Sequence, residues 1–207
     1  MNARTPYFLK LFLPQLTWQV KTSEKEIYLT FDDGPHPEIT IKVMDILEEY
    51  GAKATFFCVG HNVEKYPETY AEILKRGHKT GNHTFNHLNG WKVKRKDYFQ
   101  NIEKCGTLVD SHLFRPPYGK ISLKHIPYIK MNFRIIMWSV LSMDFDQAIS
   151  PEKCLKNSVD HAKEGSIVVF HDSEKASANM FYALPPFLEH FKSKGYSFPV
   201  LASESIG

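Results

Sequence analysis

The sequence predicts one α/β domain, a (β/α) barrel with fewer than eight strands, and three observations carry that prediction. Short apolar, β-branched runs alternate with helix-period segments along the whole chain, the pattern of parallel strands joined by crossovers. The 207 residues, 43% of them hydrophobic, suffice for one substantial core and not for two. The third observation is positional. Every chemistry-bearing residue singled out below lies at or just past the C-terminal end of a predicted strand. A barrel gathers all such ends on one rim, whereas an open sheet brings together only those at a switch point.

Residues 27–31 form the first predicted strand, followed by a helix through Ile41, Met44, Ile46 and Leu47 that Gly51 closes. Residues 54–59 are the second strand, and 67–75 a helix with Gly77 as its C-cap candidate. A third strand, weak by propensity, covers 79–82, and helical spacing returns over 97–109. A short strand at 113–115 stops at Pro116-Pro117, and 133–140 is a strong fifth strand. Ser150 at N-cap and Pro151 at N1 open the next helix, with Lys153 at N3 leaving the capping box incomplete. A sixth strand at 166–170, a helix over 180–191 and a last short strand at 198–201 complete the count of seven. No internal repeat or interdomain linker interrupts this order. A catalytic domain over 25–207 is expected, with an N-terminal segment, 1–24, packing on it.

A formal charge of +3 is too small to imply a nucleic-acid partner, and the basic run 92–96 reads as a solvated helix face. Cys58, Cys105 and Cys154 lie far apart in no metal-like spacing and read as reduced thiols. Residues 7–16 are rich in Phe and Leu. Lys10 and Pro14 interrupt them and no small-residue cleavage site follows, so they make a poor secretory signal and a cytoplasmic location is expected. No stretch has the length of a transmembrane span. Packing against the domain is the plain reading of this segment, and peripheral membrane contact is the sharper one. The sequence sets no oligomeric state.

Asp32-Asp33-Gly34-Pro35 places two adjacent carboxylates where an apolar strand breaks into a turn. Such a pair repels near a core and calls for a cation or a shared proton, although a plain turn has the same composition. His83 and His87 are four apart. Ten histidines would give about half of one such pair by chance, so the spacing alone is weak, and its Gly-Asn-His-Thr loop context strengthens it. One carboxylate and two imidazoles make a three-ligand metal site with room for water, and the other carboxylate is free to act as a base. Arg115-Pro116-Pro117-Tyr118-Gly119 reads as a plain loop, or as a stiff turn that pairs Arg115 with Asp32 and aims the Tyr118 amide as an oxyanion donor. His171 closes the run 167–170 and is a satisfied core histidine or, partnered by Asp144, a protonated acid.

Taken together, residues 30–35, 83–87, 115–119, 138–145 and 170–171 resemble the five ordered motifs of the polysaccharide deacetylases (carbohydrate esterase family 4, the nodulation-protein homology domain). The resemblance runs from about residue 26 to 201. It implies a distorted, seven-stranded (β/α) barrel and metal-dependent removal of acetyl groups from acetylated glycans, such as chito-oligosaccharide or peptidoglycan. It implies one divalent ion, with zinc the default and cobalt, nickel or manganese also suited. By motif matching, Asp32 is the catalytic base, Asp33, His83 and His87 are the metal ligands, Arg115 orients the base, Tyr118 donates its amide, and Asp144 tunes His171, the general acid. Two departures bear on substrate: Leu141 stands where the fourth motif has its first acid, and Phe145 where it has Trp. A small-molecule amidase of the same fold and a catalytically silent glycan-binding domain are the rival readings. The complete metal and acid/base sets argue against the second.

Overall fold

Seven parallel strands and eight helices make up the computed structural model, which describes residues 3–201. The strands are β1 (Tyr28–Asp32), β2 (Ala54–Cys58), β3 (Lys79–Asn82), β4 (Leu113–Phe114), β5 (Arg134–Ile135), β6 (Val140–Leu141) and β7 (Ile167–His171). The helices are α1 (Tyr7–Phe12), α2 (Ile39–Glu49), α3 (Gly60–Lys65), α4 (Pro67–Lys75), α5 (Arg95–Gly106), α6 (Ile126–Ile129), α7 (Pro151–Val159) and α8 (Glu174–Lys192). The sheet runs in the order β5-β4-β3-β2-β1-β7-β6. Every described helix falls short of the length and apolarity needed to cross a membrane.

Period-two alternation divides each central strand between two packed faces. Leu29, Phe31, Phe56, Val168 and Phe170 join a core with Val43 and Leu47 of α2 and Leu184 and Phe187 of α8. Phe31 stacks between Phe56, at 5.1 Å between centroids, and Phe170, at 6.0 Å. The opposite face fills the lumen: Tyr28, Phe57, Leu113, Ile136 and Ile167 cluster there with Val20 and Leu201. A strand covered on both sides is buried at every position, as β1 and β2 are.

The hydrogen-bonded ladder does not close. β5 and β6 are the two edges of the sheet, yet both belong to the single run 134–141. The five steps from Ile135 to Val140 span at most about 17 Å, so the sheet must curl until its edges nearly meet. The predicted strand at 133–140 is therefore split. Its start pairs with β4, Ile136 N–H donating to the Phe114 carbonyl, and its end pairs with β7, Ser139 N–H donating to the Ile167 carbonyl. Between them the N-terminal segment lies along the gap. Thr17 N–H donates to the Ile135 carbonyl and the Thr17 carbonyl accepts from Met137 N–H, while Leu16, Trp18 and Val20 are buried.

The other predicted strand that fails is 198–201. It forms no ladder, and Phe198 and Leu201 instead plug the core and the N-terminal end of the lumen, with Leu201 N–H donating to Thr55 Oγ1. The count of seven thus survives for a different reason: one predicted strand became two and one disappeared. The helix predicted at 180–191 starts at Glu174 and runs through Pro185 and Pro186. α1, α3 and α6, of four to six residues, carry too little periodicity to stand out in the sequence. Pro67–Lys75, Lys79–Asn82 and the Ser150 cap, whose Oγ accepts from Lys153 N–H at 3.2 Å, match expectation. Cys58, Cys105 and Cys154 are buried free thiols.

Gly165 joins the N-terminal segment to β7. Its φ is +73°, and a Cβ there would stand 2.1 Å from the Val20 carbonyl oxygen. Gly165→Ala is expected to lower stability by at least about 1–3 kcal/mol, the cost of a left-handed non-glycine residue, measured by urea unfolding. An unchanged midpoint would show that the segment yields without loss.

Candidate active site and metal centre

Four loops at the C-terminal ends of β1, β3, β4 and β6, together with the last residues of β1 and β7, bring all eight sequence-predicted residues into one region. Asp32, Asp33, His83, His87, Tyr118 and His171 line a single cavity of about 470 Å³, and Arg115 and Asp144 lie buried behind it. Among the described residues, five non-glycine residues have positive φ: Asp33, Thr84, His87, Tyr118 and Met143. All five sit in these loops, two of them being predicted ligands and one the predicted amide donor. Such backbone costs of order 1–3 kcal/mol each and persists only where surroundings over-determine it.

Those surroundings are specific. Asn62 Nδ2 donates to the Asp33 carbonyl at 2.8 Å. The Asp172 carboxylate accepts from Gly34 N–H at 3.0 Å and from Thr40 Oγ1. A Cβ on Gly34 would lie 2.0 Å from that carboxylate, so the Asp-Asp-Gly turn requires its glycine for close approach. Burial drives the Asp172 carboxyl up to about 7; its hydrogen bond from Thr40 opposes the rise and the charge of Asp33 adds to it. Asn82 ties the histidine loop, donating to the Ile102 carbonyl at 2.9 Å and accepting from Thr84 N–H at 2.9 Å. Asn62, Asn82 and Asp172 were not singled out in the sequence, because each acts on a residue distant in the chain or through backbone.

Asp33 Oδ1 lies 3.1 Å from His87 Nε2 and 3.8 Å from His83 Nε2. One donor atom from each of the three residues falls within 4.8 Å of the others. The donor chemistry fits a divalent ion. His83 Nδ1 is 2.8 Å from the Arg115 carbonyl, which can only accept, so the proton is on Nδ1 and Nε2 keeps its lone pair. Burial pushes the His83 imidazole down to about 4, keeping it neutral at pH 7. His87 Nδ1 contacts the Tyr118 hydroxyl at 3.1 Å. Burial disfavours the Asp33 carboxylate, but the hydrogen bond to His87 and the charge of His171 outweigh it and hold the carboxyl well below its usual range.

Asp32 is buried beside this triangle. Its Oδ1 accepts from Arg115 Nη1 at 2.6 Å. Arg115 is itself wholly buried, donating also to Thr30 Oγ1 and to the Ile136 and Met137 carbonyls, with Phe57 4.0 Å below the guanidinium. Asp32 and His171 are register partners on β1 and β7. The His171 ring contacts Asp144 Oδ1 through Nδ1 at 2.7 Å, and its backbone N–H donates to Asp144 Oδ2 at 2.7 Å. Burial alone would lower the His171 pKa; the charge and hydrogen bond of Asp144, with Asp33 and Asp32 beyond, raise it to about 9. Tyr118 has φ +61° and its backbone N–H meets no acceptor among the described residues. Trp138, Leu141 and Phe145 complete the walls, with Phe145 set edge-on to His171 at 5.0 Å.

Comparison with known proteins agrees with this geometry. Residues 19–132 match the polysaccharide deacetylase family. A peptidoglycan-N-acetylglucosamine deacetylase of Bacillus cereus is 36% identical over 92% of each chain. A chitooligosaccharide deacetylase of Azorhizobium caulinodans is 36% identical over 74% of this chain and 77% of its own. A crystal structure of a peptidoglycan N-acetylglucosamine deacetylase superposes with a TM-score of 0.86 at 31% identity, covering 95% of both chains.

The triangle generates a direct test. The purified chain is expected to carry about one divalent ion, and His83→Ala or His87→Ala should each strip it, as read by elemental analysis. Full metal content in both variants would place the ion elsewhere.

Proposed function

The chain belongs to the polysaccharide deacetylase family, and on that premise we propose that its cavity hydrolyses the N-acetyl groups of an acetylated glycan, with peptidoglycan or chito-oligosaccharide as substrate. The observation that carries this reading is the meeting of three elements in one cavity of about 470 Å³: the Asp33, His83 and His87 triangle, the Arg115–Asp32 pair, and the Asp144–His171 pair. Two imidazoles and one carboxylate suit zinc first, with cobalt, nickel and manganese as alternatives. A divalent ion held there supplies Lewis acidity, polarising the acetyl carbonyl and acidifying water.

The chain's own groups supply the rest. Asp32, held by Arg115 so that one oxygen is engaged, takes a proton from water as it attacks the acetyl carbon. The Tyr118 N–H, without an acceptor among the described residues, donates to the oxygen on which charge develops. An amine leaves poorly unless protonated, and His171 delivers that proton. Asp144 accepts the Nδ1 proton of His171 and keeps Nε2 as the proton-bearing end facing the cavity. The carbon–nitrogen bond breaks, acetate and free amine leave, and one water is consumed. Leu141 and Phe145 give the cavity an apolar wall, which suits the acetyl methyl group and the less polar face of a sugar ring.

Acetate release from peptidoglycan and from chito-oligosaccharides, with and without chelator, tests the reading. Release that chelation abolishes and divalent ions restore is expected; no release from either substrate would end it. Asp32→Asn should cost about 10²–10⁴ in turnover, the usual worth of a positioned base, while metal content stays intact. Loss of the metal instead would exchange the roles of Asp32 and Asp33.

His171 acts only while protonated, so activity should fall as pH rises through its pKa of about 9. Asp144→Asn removes the charge that raises that value, and the alkaline limb should move to lower pH with metal content unchanged. His171→Ala should cost far more on an N-acetyl glycan than on an activated aryl acetate, whose leaving group needs no proton. Equal losses on both would make His171 structural.

A further inference from the structure

We propose that α1 is a peripheral membrane contact that seats the chain on an anionic lipid bilayer. α1 reads Tyr-Phe-Leu-Lys-Leu-Phe. Its inner side, with Leu9 and the following Leu13, packs toward Leu16, Trp18 and Met137. Its outer side is also apolar: Tyr7, Phe8, Leu11 and Phe12 are 73%, 55%, 62% and 78% exposed. The spacings 7/11 and 8/12 put these four side chains on one patch. A surface helix ordinarily turns a polar face to water, and one whose outer side is apolar needs cover there as well. Met131, 75% exposed, extends the patch, sharing a shallow depression with Tyr7 and Leu11.

Charge identifies the cover. The depression on one side of α1 is walled by Lys10, Lys21, Lys130 and Arg134, and the one on the other side by Arg4 and Lys153. Neither wall contains an aspartate or glutamate, and residues 3–23 contain none, in a chain whose 26 basic and 23 acidic residues are otherwise nearly balanced. The cations are crowded: burial first, then Arg4 and Lys163, depress the Lys10 ammonium pKa. A second copy of the chain docked symmetrically on this patch would bring the same uncompensated cations together. An anionic bilayer answers both features, taking the aromatic patch at the acyl boundary and the lysines and arginines at the headgroups.

The contact also positions the cavity. A space of about 770 Å³ separates the inner side of α1, at Pro6, Leu9 and Leu13, from Tyr118, Gly119, Trp138 and Leu141. Those four residues also line the catalytic cavity. A bilayer held on α1 therefore sets the catalytic mouth beside a membrane surface.

Co-sedimentation of the purified full chain with vesicles tests this without any turnover, so it stands or falls apart from the deacetylase reading. Vesicles of equal parts phosphatidylcholine and phosphatidylglycerol should take the chain down, pure phosphatidylcholine should not, and about 0.5 M salt should release it. Phe8→Ser with Phe12→Ser, and separately Lys130→Glu with Arg134→Glu, should each weaken binding about tenfold or more. All four positions are exposed, so unchanged thermal unfolding is expected. Because the two pairs perturb opposite chemistries, one misfolded variant leaves the other decisive. Equal binding to neutral and anionic vesicles, or wild-type binding by a folded variant, would overturn the proposal. So would a dimer in solution that Phe8→Ser with Phe12→Ser disperses.

Discussion

The Arg115 guanidinium sits in the lumen with no exposed surface, and an arginine does not shed its charge there. Its surroundings must therefore supply an anion and enough acceptors for five N–H groups, or the fold pays several kcal/mol. Asp32 supplies the anion, Thr30 a hydroxyl, and Ile136 and Met137 their carbonyls, while Phe57 offers its ring face. These partners come from β1, from β2 and from the segment that crosses between the sheet's two edges. Where the ladder leaves a gap between β5 and β6, one side chain ties the crossing segment to the opposite wall. The same bond orients Asp32 at the floor of the cavity, so closure of the barrel and placement of the proposed base are one interaction.

Around that floor the site is held by strain that other parts of the fold oppose. Asp33, His87 and Tyr118 stand in left-handed backbone, at the turns that carry the proposed metal donors and the amide without a partner among the described residues. Asp172, Asn62 and Asn82 hold these turns through backbone and carboxylate bonds. The arrangement also separates the electrostatics of two groups. Burial lowers His83 toward the neutral form that a metal needs, while His171, partly buried, is lifted by Asp144 toward the charged form that an acid needs. Two imidazoles in one cavity thus differ because only one has a carboxylate on its Nδ1 side; the other has a carbonyl.

The departures in the fourth motif acquire a physical meaning in this setting. Leu141 ends β6, is buried, and donates its N–H to the Ala3 carbonyl, so the position joins the catalytic wall to the N-terminal segment. Phe145 keeps an aromatic edge against His171. The altered wall is apolar and continuous with the residues that face α1. The N-terminal segment and the apolar wall of the cavity therefore meet on one stretch of chain.

The sequence by itself determined the elements whose signals are local. Pro67–Lys75 was legible to the residue, as was the cap at Ser150, because cap chemistry and short-range periodicity decide them; Gly77 follows the Arg76 C-cap in left-handed backbone, and the bounds of Lys79–Asn82 matched despite its weak propensity. The convergence of the eight candidate residues on one region was legible too, since each lies at or just past the C-terminal end of a strand. What tertiary structure alone decided were matters of neighbours. Residues 133–140 satisfy every strand preference, yet their ladder partner changes from β4 to β7 along the run, and no local propensity records a change of partner. Residues 198–201 join no ladder, Leu201 N–H donating instead to a side chain, Thr55 Oγ1. Gly34 is required by a carboxylate 138 positions away, and the outward face of α1 became visible only when packing had claimed its other side.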